Sequence, residues 1–295
     1  MRMLSLAWRN LLRNGRRSLT TLIAMALGLV AVLLFGGYVK DLIYGLQTEF
    51  VQSSGHLQVQ HKDYFRIGSG NPAAYGIPDY ERIVRVLKED PVLKPMLVVA
   101  TPMLHFGGIA GNFASGVSRT VEISGLVVDD QNRMREWNDY EDSVLTRPLS
   151  LSGTAPNAVV IGTGVARVLQ LCAALRVTDC DAETPKSDVG GDALPSDIAL
   201  LAGSGARQDE QLGRQGPRIE ILAANTRGAP NVAGVEVVSA EYQGVKELDD
   251  IYVAMHLSQA QKLVFGSTPP QATAIALQLK HTAQIGQARA RLGEL

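Results

Sequence analysis

The sequence is poor in cysteine, in aromatic side chains and in net charge. Its two cysteines, Cys172 and Cys180, are too few for a disulfide framework, although an oxidising compartment would let them pair with each other. The sequence alone leaves that pairing open. A formal net charge of −1 lacks the basic excess of a nucleic-acid-binding surface, so no nucleic-acid partner is expected. The length of 295 residues suits about two globular units.

Charge is missing altogether from residues 18–39, between Arg17 and Lys40. A membrane-spanning helix needs about 20 apolar residues, so we expect a transmembrane helix over residues 18–45, with room to extend into the periplasm. The rival interpretation is a cleaved signal peptide, whose apolar region runs roughly 7–15 residues before a small-residue cleavage site. This stretch is longer, and the sequence after Gly36 is a poor cleavage site, which favours a retained helix.

Basic residues cluster on one side of the apolar stretch. Five arginines and no acidic residue precede it, whereas Lys40, Asp41 and Glu49 follow it. The positive-inside rule therefore predicts a cytoplasmic N-terminus and a main body outside the membrane. Within residues 1–17, apolar side chains recur at helical spacing, which predicts an amphipathic helix along the cytoplasmic interface with Trp8 at headgroup level. The alternative is a segment that only directs insertion. The apolar face of the predicted amphipathic helix consists of Leu4, Ala7, Trp8 and Leu11.

Residues 46–295 alternate between strand and helix patterns and predict an α+β extracytoplasmic domain. Residues 54–110 and 237–292 are expected to form one lobe built from strand–helix–strand units. A strand-rich lobe, residues 111–236, is expected to be inserted into it. Within the insert, residues 172–217 are rich in small and polar residues and predict a mobile loop.

No catalytic, cofactor or metal site emerges from the pattern. The histidines lack metal-binding spacing, and the sequence has no nucleophile elbow. The pairs Asp129-Asp130 and Asp249-Asp250 are interpreted as turn caps and solvated edges, because adjacent side chains on a strand point apart. Gly162-Thr163-Gly164 follows a strand but lacks a dinucleotide fingerprint, so it is interpreted as the entry to a helix. The five histidines are His56, His61, His105, His256 and His281.

Four segments, in this order, resemble the FtsX-like permeases of ABC transporters, a group that includes lipoprotein-releasing and macrolide-export (MacB-type) permeases. The first reads LAWRNLLRNGRRSLT from Leu6, ahead of the apolar span. The others are Val121–Gly125, Val159–Leu171 and the stretch from Tyr242 to Gln261, which carries the spacing G-x-x-E-x-D. The resemblance covers most of the chain outside residues 172–217, where the family has a short link.

The resemblance implies a permease of the mechanotransmission type, in which a partner ATPase hydrolyses ATP and the permease relays the movement outward. It implies no enzymatic activity in this chain. The implied partners are a cytoplasmic ABC ATPase, a second permease subunit, identical or different, membrane lipid, and a periplasmic or outer-membrane protein. The implied location is a bacterial inner membrane, and the cargo is a lipoprotein or an exported substrate.

The family continues after the external domain into three more spans and a coupling helix, so we expect the chain to be a fragment or a truncated permease. Two other interpretations stay open. One is a single-span protein whose external domain serves binding or interaction without transport, and the other is a membrane-anchored enzyme. The interfacial helix around Trp8 and the apolar span are the surfaces to which the sequence assigns a functional consequence.

Overall fold

The computed structural model describes residues 9, 13–64, 68, 71–141, 147–178 and 216–295. The chain forms two compact units. The first is Met1–Phe50 with Asn138–Ser143, and the second is Val51–Trp137 with Val144–Leu295. The predicted interfacial helix, including Trp8, lies outside the described residues except for a few positions.

One helix of 40 residues, α1, dominates the first unit and continues to Ser54. At 1.5 Å per residue it is about 60 Å long, roughly twice the thickness of a membrane's hydrocarbon core. It is long and apolar enough to cross a membrane. Its apolar side chains are exposed on all sides, as expected of a helix that meets lipid rather than a protein core. The helix α1 spans Gly15–Ser54.

The second unit contains eight strands and six further α-helices among the described residues, which confirms the predicted α+β class. The strands are β1 Leu57–Gln60, β2 Leu97–Asn112, β3 Val117–Leu126, β4 Ala158–Gly162, β5 Arg218–Ala224, β6 Pro230–Glu241, β7 Tyr252–His256 and β8 Ala274–Leu279. The helices are α2 Tyr80–Glu89, α3 Val128–Arg135, α4 Thr163–Val168, α5 Lys246–Asp249, α6 Leu257–Phe265 and α7 Ile285–Glu294. Short 3₁₀ turns cover Pro72–Tyr75 and Thr282–Gln284.

Strand β2 belongs to two sheets in succession. Its first part, residues 97–103, pairs antiparallel with β8, which in turn pairs with β1. From Leu104 onward β2 pairs with β3, and over residues 108–111 it also pairs with β5 on its other side. The order β2-β3-β7-β4-β6-β5 returns to β2, so these six strands close into a barrel. A closed barrel has no edge strand, which satisfies the backbone groups of every member.

Each face of the three-stranded sheet β1-β8-β2 has its own cover. On one face, Leu277 and Leu279 of β8 lie in a core with side chains of α2 and with Ala288 of α7. On the opposite face, Ala276 of β8 lies in a small cluster with Met134 of α3. A third core fills the barrel and receives side chains of α4 and α6. All six residues of β8 are therefore buried.

Ser258 and Thr282 each precede an apolar helical pattern and are residue types that predict helix N-caps, but neither caps a helix in the structure. The helix that Ser258 was expected to cap begins at Leu257, with His256 as its N-cap residue. Thr282 opens a 3₁₀ turn ahead of α7 rather than capping that helix, because the His281 side chain and Gln284 form a capping box there. The predicted lobe boundaries stay a prediction. In the structure β7 pairs with β3 and β4, inside the barrel.

Candidate functional site: the end of the long helix and its hydrogen bonds to the sheet domain

The histidines serve structural roles in the part of the chain described. His56, His61, His105 and His256 each hydrogen-bond through a ring nitrogen to a backbone amide or a hydroxyl, and His281 caps a turn. Burial lowers the pKa of His105, with Glu122 opposing the shift, and burial also lowers the pKa of His256. Both rings therefore favour the neutral form, which suits acceptors of hydrogen bonds. No group of three metal-ligating side chains occurs within the described ranges.

The carboxylate pairs also act within the fold. Asp249 is buried and caps the N-terminus of α4 from a distant part of the chain, accepting hydrogen bonds from the Thr163 and Gly164 amides at 2.8 Å each. It is a cap, as expected, but it is buried rather than at a solvated edge. Gly162 is required there, since a Cβ would lie 2.0 Å from the Asp249 carbonyl oxygen. Asp130, expected in a turn, lies in α3 and pairs with Arg133.

The last turn of α1 joins the long helix to the three-stranded sheet β1-β8-β2. Helix α1 ends at Ser54, and Gly55 adopts a left-handed conformation with φ of +76° that turns the chain directly into β1. A Cβ on Gly55 would lie 2.8 Å from the carbonyl oxygen of Leu277 on β8. The next amide, that of His56, donates to the same carbonyl at 2.8 Å. The helix end is therefore pressed against β8 with no space for a side chain.

One buried amide side chain joins the ends of two helices. Gln278 of β8 is fully buried, and its Nε2 donates to the carbonyl of Met134 at 2.9 Å and that of Val51 at 3.3 Å. These carbonyls belong to the last turns of α3 and α1, where the helix dipole is negative and acceptors are left over. Each also accepts a backbone bond, from Trp137 and Gly55 respectively. Gln278 therefore cross-links two helix C-termini through the sheet.

Two more glutamines complete the link between α1 and α3. The Gln131 side chain on α3 donates to the Gln52 carbonyl at 2.9 Å, and the Gln52 side chain donates to the Trp137 carbonyl at 2.8 Å. A side chain of α3 therefore bonds to the end of α1, and a side chain of α1 bonds to the segment that follows α3. Each such bond contributes about 1 kcal/mol net, before the cost of any amide oxygen that is left unpaired.

Trp137 closes the same region from the side of β8. Its indole N–H donates to the Lys280 carbonyl at 3.0 Å, and the His56 ring meets it edge-on with centroids 4.9 Å apart. The His56 Nδ1 accepts the Leu279 amide at 3.0 Å. The side chain of Trp137 is almost fully buried, so it packs as well as bonds.

The glutamine side chains in this region donate hydrogen bonds through their NH₂ groups, but some buried side-chain oxygens have no donor within the described part of the chain. Gln131 Oε1, Gln278 Oε1 and the Thr101 hydroxyl are buried without a hydrogen-bond partner among the described residues. A buried unpaired acceptor costs about 1–3 kcal/mol, so the contact is polar and below its greatest attainable stability.

The sequence did not single out these glutamines. The alternation that places Ile275, Leu277 and Leu279 on one face predicts a strand with one buried face, whereas the other face of β8 is buried as well. Ala274 and Ala276, which lie on that second face, are the residues in the sequence that indicate its burial. Trp8 lies outside the described residues. The apolar span, the other surface singled out, is the exposed helix α1.

Cys172 is disulfide-bonded. Cys180, the second cysteine of the chain, lies outside the described residues, as does most of the predicted mobile loop over residues 172–217.

Comparison with known proteins identifies a family and solved structures with limited similarity. Residues 18–175, more than half of the chain, match the family model of the MacB-like periplasmic core domain. A solved structure, the extracellular domain of the noncanonic ABC-type transporter YknZ from Gram-positive bacteria, is 14% identical over 76% of this chain and 84% of that one. Its TM-score of 0.36 is too low to support an argument. No curated protein gives a match.

Proposed function

The chain belongs to the family of the MacB-like periplasmic core domain, that of ABC transporter permeases, and we propose that it relays movement through a membrane for such a transporter. In this proposal a cytoplasmic partner hydrolyses ATP, and α1 carries the resulting displacement to the extracytoplasmic domain. The domain's movement releases a lipoprotein or drives a substrate outward. The chain itself supplies no catalytic group.

The observation that carries this proposal is the continuity of α1 with the glutamine contacts at its end. A helix is stiff along its axis, and α1 runs without interruption from the apolar stretch into its last turn. That turn is bonded to α3 and β8 by Gln52, Gln131 and Gln278. An axial or rotational displacement of the helix therefore acts on the sheet domain directly rather than through a flexible linker.

The proposed setting is the bacterial inner membrane with the N-terminus in the cytoplasm. Arg13, Arg16 and Arg17 precede the uncharged stretch, which supports that orientation by the positive-inside rule. The disulfide at Cys172 supports an oxidising compartment for the main domain. Partners in this setting are the ATPase, a second permease subunit, membrane lipid and a periplasmic or outer-membrane protein.

The test measures movement rather than a particular substrate. The full-length protein is purified from membranes with its ATPase and reconstituted in phospholipid, with spin labels at positions 29 and 242. Pulsed electron paramagnetic resonance then measures the distance between the two labels, one on the helix and one on the sheet domain. We expect the distance distribution to shift when ATP and vanadate are added. The double substitution Gln52→Ala with Gln278→Ala is expected to abolish the shift while ATP hydrolysis persists.

The matched control is Gln243→Ala. Its side chain donates to the Glu241 carbonyl, outside the glutamine contacts, so the nucleotide-dependent shift should remain. A shift that survives in the double variant would contradict coupling through the glutamines. If the purified protein carries no ATPase and no nucleotide response, the single-span interaction module is the better interpretation.

A further inference from the structure

A short segment of the chain leaves the sheet domain and joins the long helix. Among the described residues, 138–141 form one compact unit with residues 15–50 of α1 rather than with their neighbours in sequence. The contact is aromatic. The rings of Tyr44 on α1 and Tyr140 lie parallel within 3°, with centroids 4.4 Å apart. The Lys40 ammonium lies 5.3 Å from the centre of the Tyr44 ring, one helical turn nearer the apolar stretch.

The height of this contact along the helix follows from the helical rise. The uncharged stretch between Arg17 and Lys40 has a length of about 33 Å, which matches a hydrocarbon core of about 30 Å. With Arg17 at the inner boundary, Lys40 lies at the outer boundary and Tyr44 about 6 Å beyond it. The headgroup region is roughly 5–7 Å deep on each side of the core. The stacked tyrosines therefore lie at the level of the outer headgroups.

The residue types agree with that position. Tyrosine is enriched at membrane interfaces, because its ring prefers the apolar side and its hydroxyl the polar side. Lysine at the end of a span extends its ammonium toward the phosphates. Both tyrosines are half-buried, so part of each ring stays open to the surroundings. We propose that the segment around Tyr140 is a second membrane contact, which rests among the outer-leaflet phospholipid headgroups and is held there by its stack on Tyr44.

This inference needs α1 to span the membrane, but it is independent of coupling to an ATPase. The rival explanation is a stack that only braces the helix in water. The two differ in one measurable quantity, the depth of residue 141. Glu141 is exposed and follows Tyr140 directly, so a label there leaves the stack intact.

The experiment places a nitroxide at Glu141→Cys in the full-length protein, reconstituted in phosphatidylcholine nanodiscs. Power saturation with oxygen and with a water-soluble nickel chelate gives its depth. The native disulfide at Cys172 keeps that cysteine from reacting, and unsubstituted protein gives the background. Leu29→Cys, in the middle of the span, marks hydrocarbon, and the nitroxide free in buffer gives the value for bulk water. Tyr242→Cys, whose native side chain is two-thirds exposed, serves as the surface site for comparison once its label is shown to read as water.

The label at 141 is expected within about 10 Å of the hydrocarbon boundary, with lower nickel accessibility than the label at 242. Adding Tyr140→Ala is expected to shift the label toward the water value. If the label at 141 matches that at 242 while Leu29→Cys reads hydrocarbon, the headgroup contact is wrong and the span stands. If Leu29→Cys itself reads water, the span and this inference both fail.

Discussion

Replacing Asp249 with asparagine keeps the shape of the side chain and exchanges one acceptor oxygen for a donor. One carboxylate oxygen accepts the Thr163 amide at 2.8 Å and the Gln243 amide at 3.3 Å. The other accepts the Gly164 amide at 2.8 Å and the Thr163 hydroxyl. Because Asp249 is only 3% exposed, water cannot replace a bond that the substitution removes.

The loss can be counted bond by bond. If the new NH₂ group replaces the oxygen that bonds to Gly164, the Thr163 hydroxyl can rotate to accept from it, but the Gly164 N–H loses its acceptor. If it replaces the other oxygen, the backbone N–H groups of Thr163 and Gln243 both lose their acceptor. The cheaper arrangement leaves one buried donor unpaired, which costs about 1–3 kcal/mol, so we expect Asp249→Asn to lower the free energy of unfolding by about 2 kcal/mol. For a domain of this size that is about 4–8 °C in melting temperature.

Circular dichroism of the full chain in detergent measures the shift, and Asp250→Asn is the matched control. The neighbouring carboxylate is 25% exposed and 3.8 Å from the Arg119 guanidinium, so its loss should cost less than about 1 kcal/mol. Equal shifts for the two variants, or an unchanged melting temperature for Asp249→Asn, would refute the assignment of Asp249 as the cap of α4.

Two further substitutions test other contacts. Hydrogen bonds from Arg291 hold the pKa of the Asp90 carboxyl below its usual value, so this pair stabilises the fold above about pH 4 and the contribution is lost as pH falls toward the lowered value. Melting temperatures from pH 2 to 6 should therefore depend less on pH for Asp90→Asn than for the wild type, and parallel curves would contradict this. Gly55→Ala should cost more than Gly153→Ala in a urea unfolding experiment. Both glycines have φ above +70°, which costs roughly 1–2 kcal/mol for alanine, but only at Gly55 does the new methyl meet a backbone oxygen, that of Leu277.

The elements predicted best from the sequence are those with a strong local pattern. The span and helix α2 follow from apolar periodicity and from charges at their ends, and β8 follows from alternation. Helix α3 was missed, because Val128–Arg135 is too polar to show an apolar stripe, although Met134 and Gln131 on it are buried. Its burial depends on the second face of a sheet whose strands come from distant parts of the chain.

The closure of the barrel and the glutamine contacts are likewise non-local. Nothing in the stretch 97–112 marks Leu104 as the point where β2 passes from one sheet to the other. A lone glutamine in a strand is usually solvated, so Gln278 carries no sequence signal of its own. The resemblance to FtsX-like permeases, confirmed by the family match over residues 18–175, came instead from the order of short motifs.

In the proposed relay of movement, the alternation of side chains along β8 places Gln278 and its neighbours on opposite faces of the sheet. Gln278 faces α1 and α3, whereas Leu277 and Leu279 on either side of it face α2 and α7. Because a strand's neighbouring side chains point to opposite faces, a force on the helix end at Gln278 reaches both covers of the sheet within one residue. Strand β8 also pairs with the first part of β2, which continues into the barrel. A close-packed interior transmits such a displacement rather than absorbing it, so in the proposed relay β8 is a direct route from the end of α1 to the rest of the second unit.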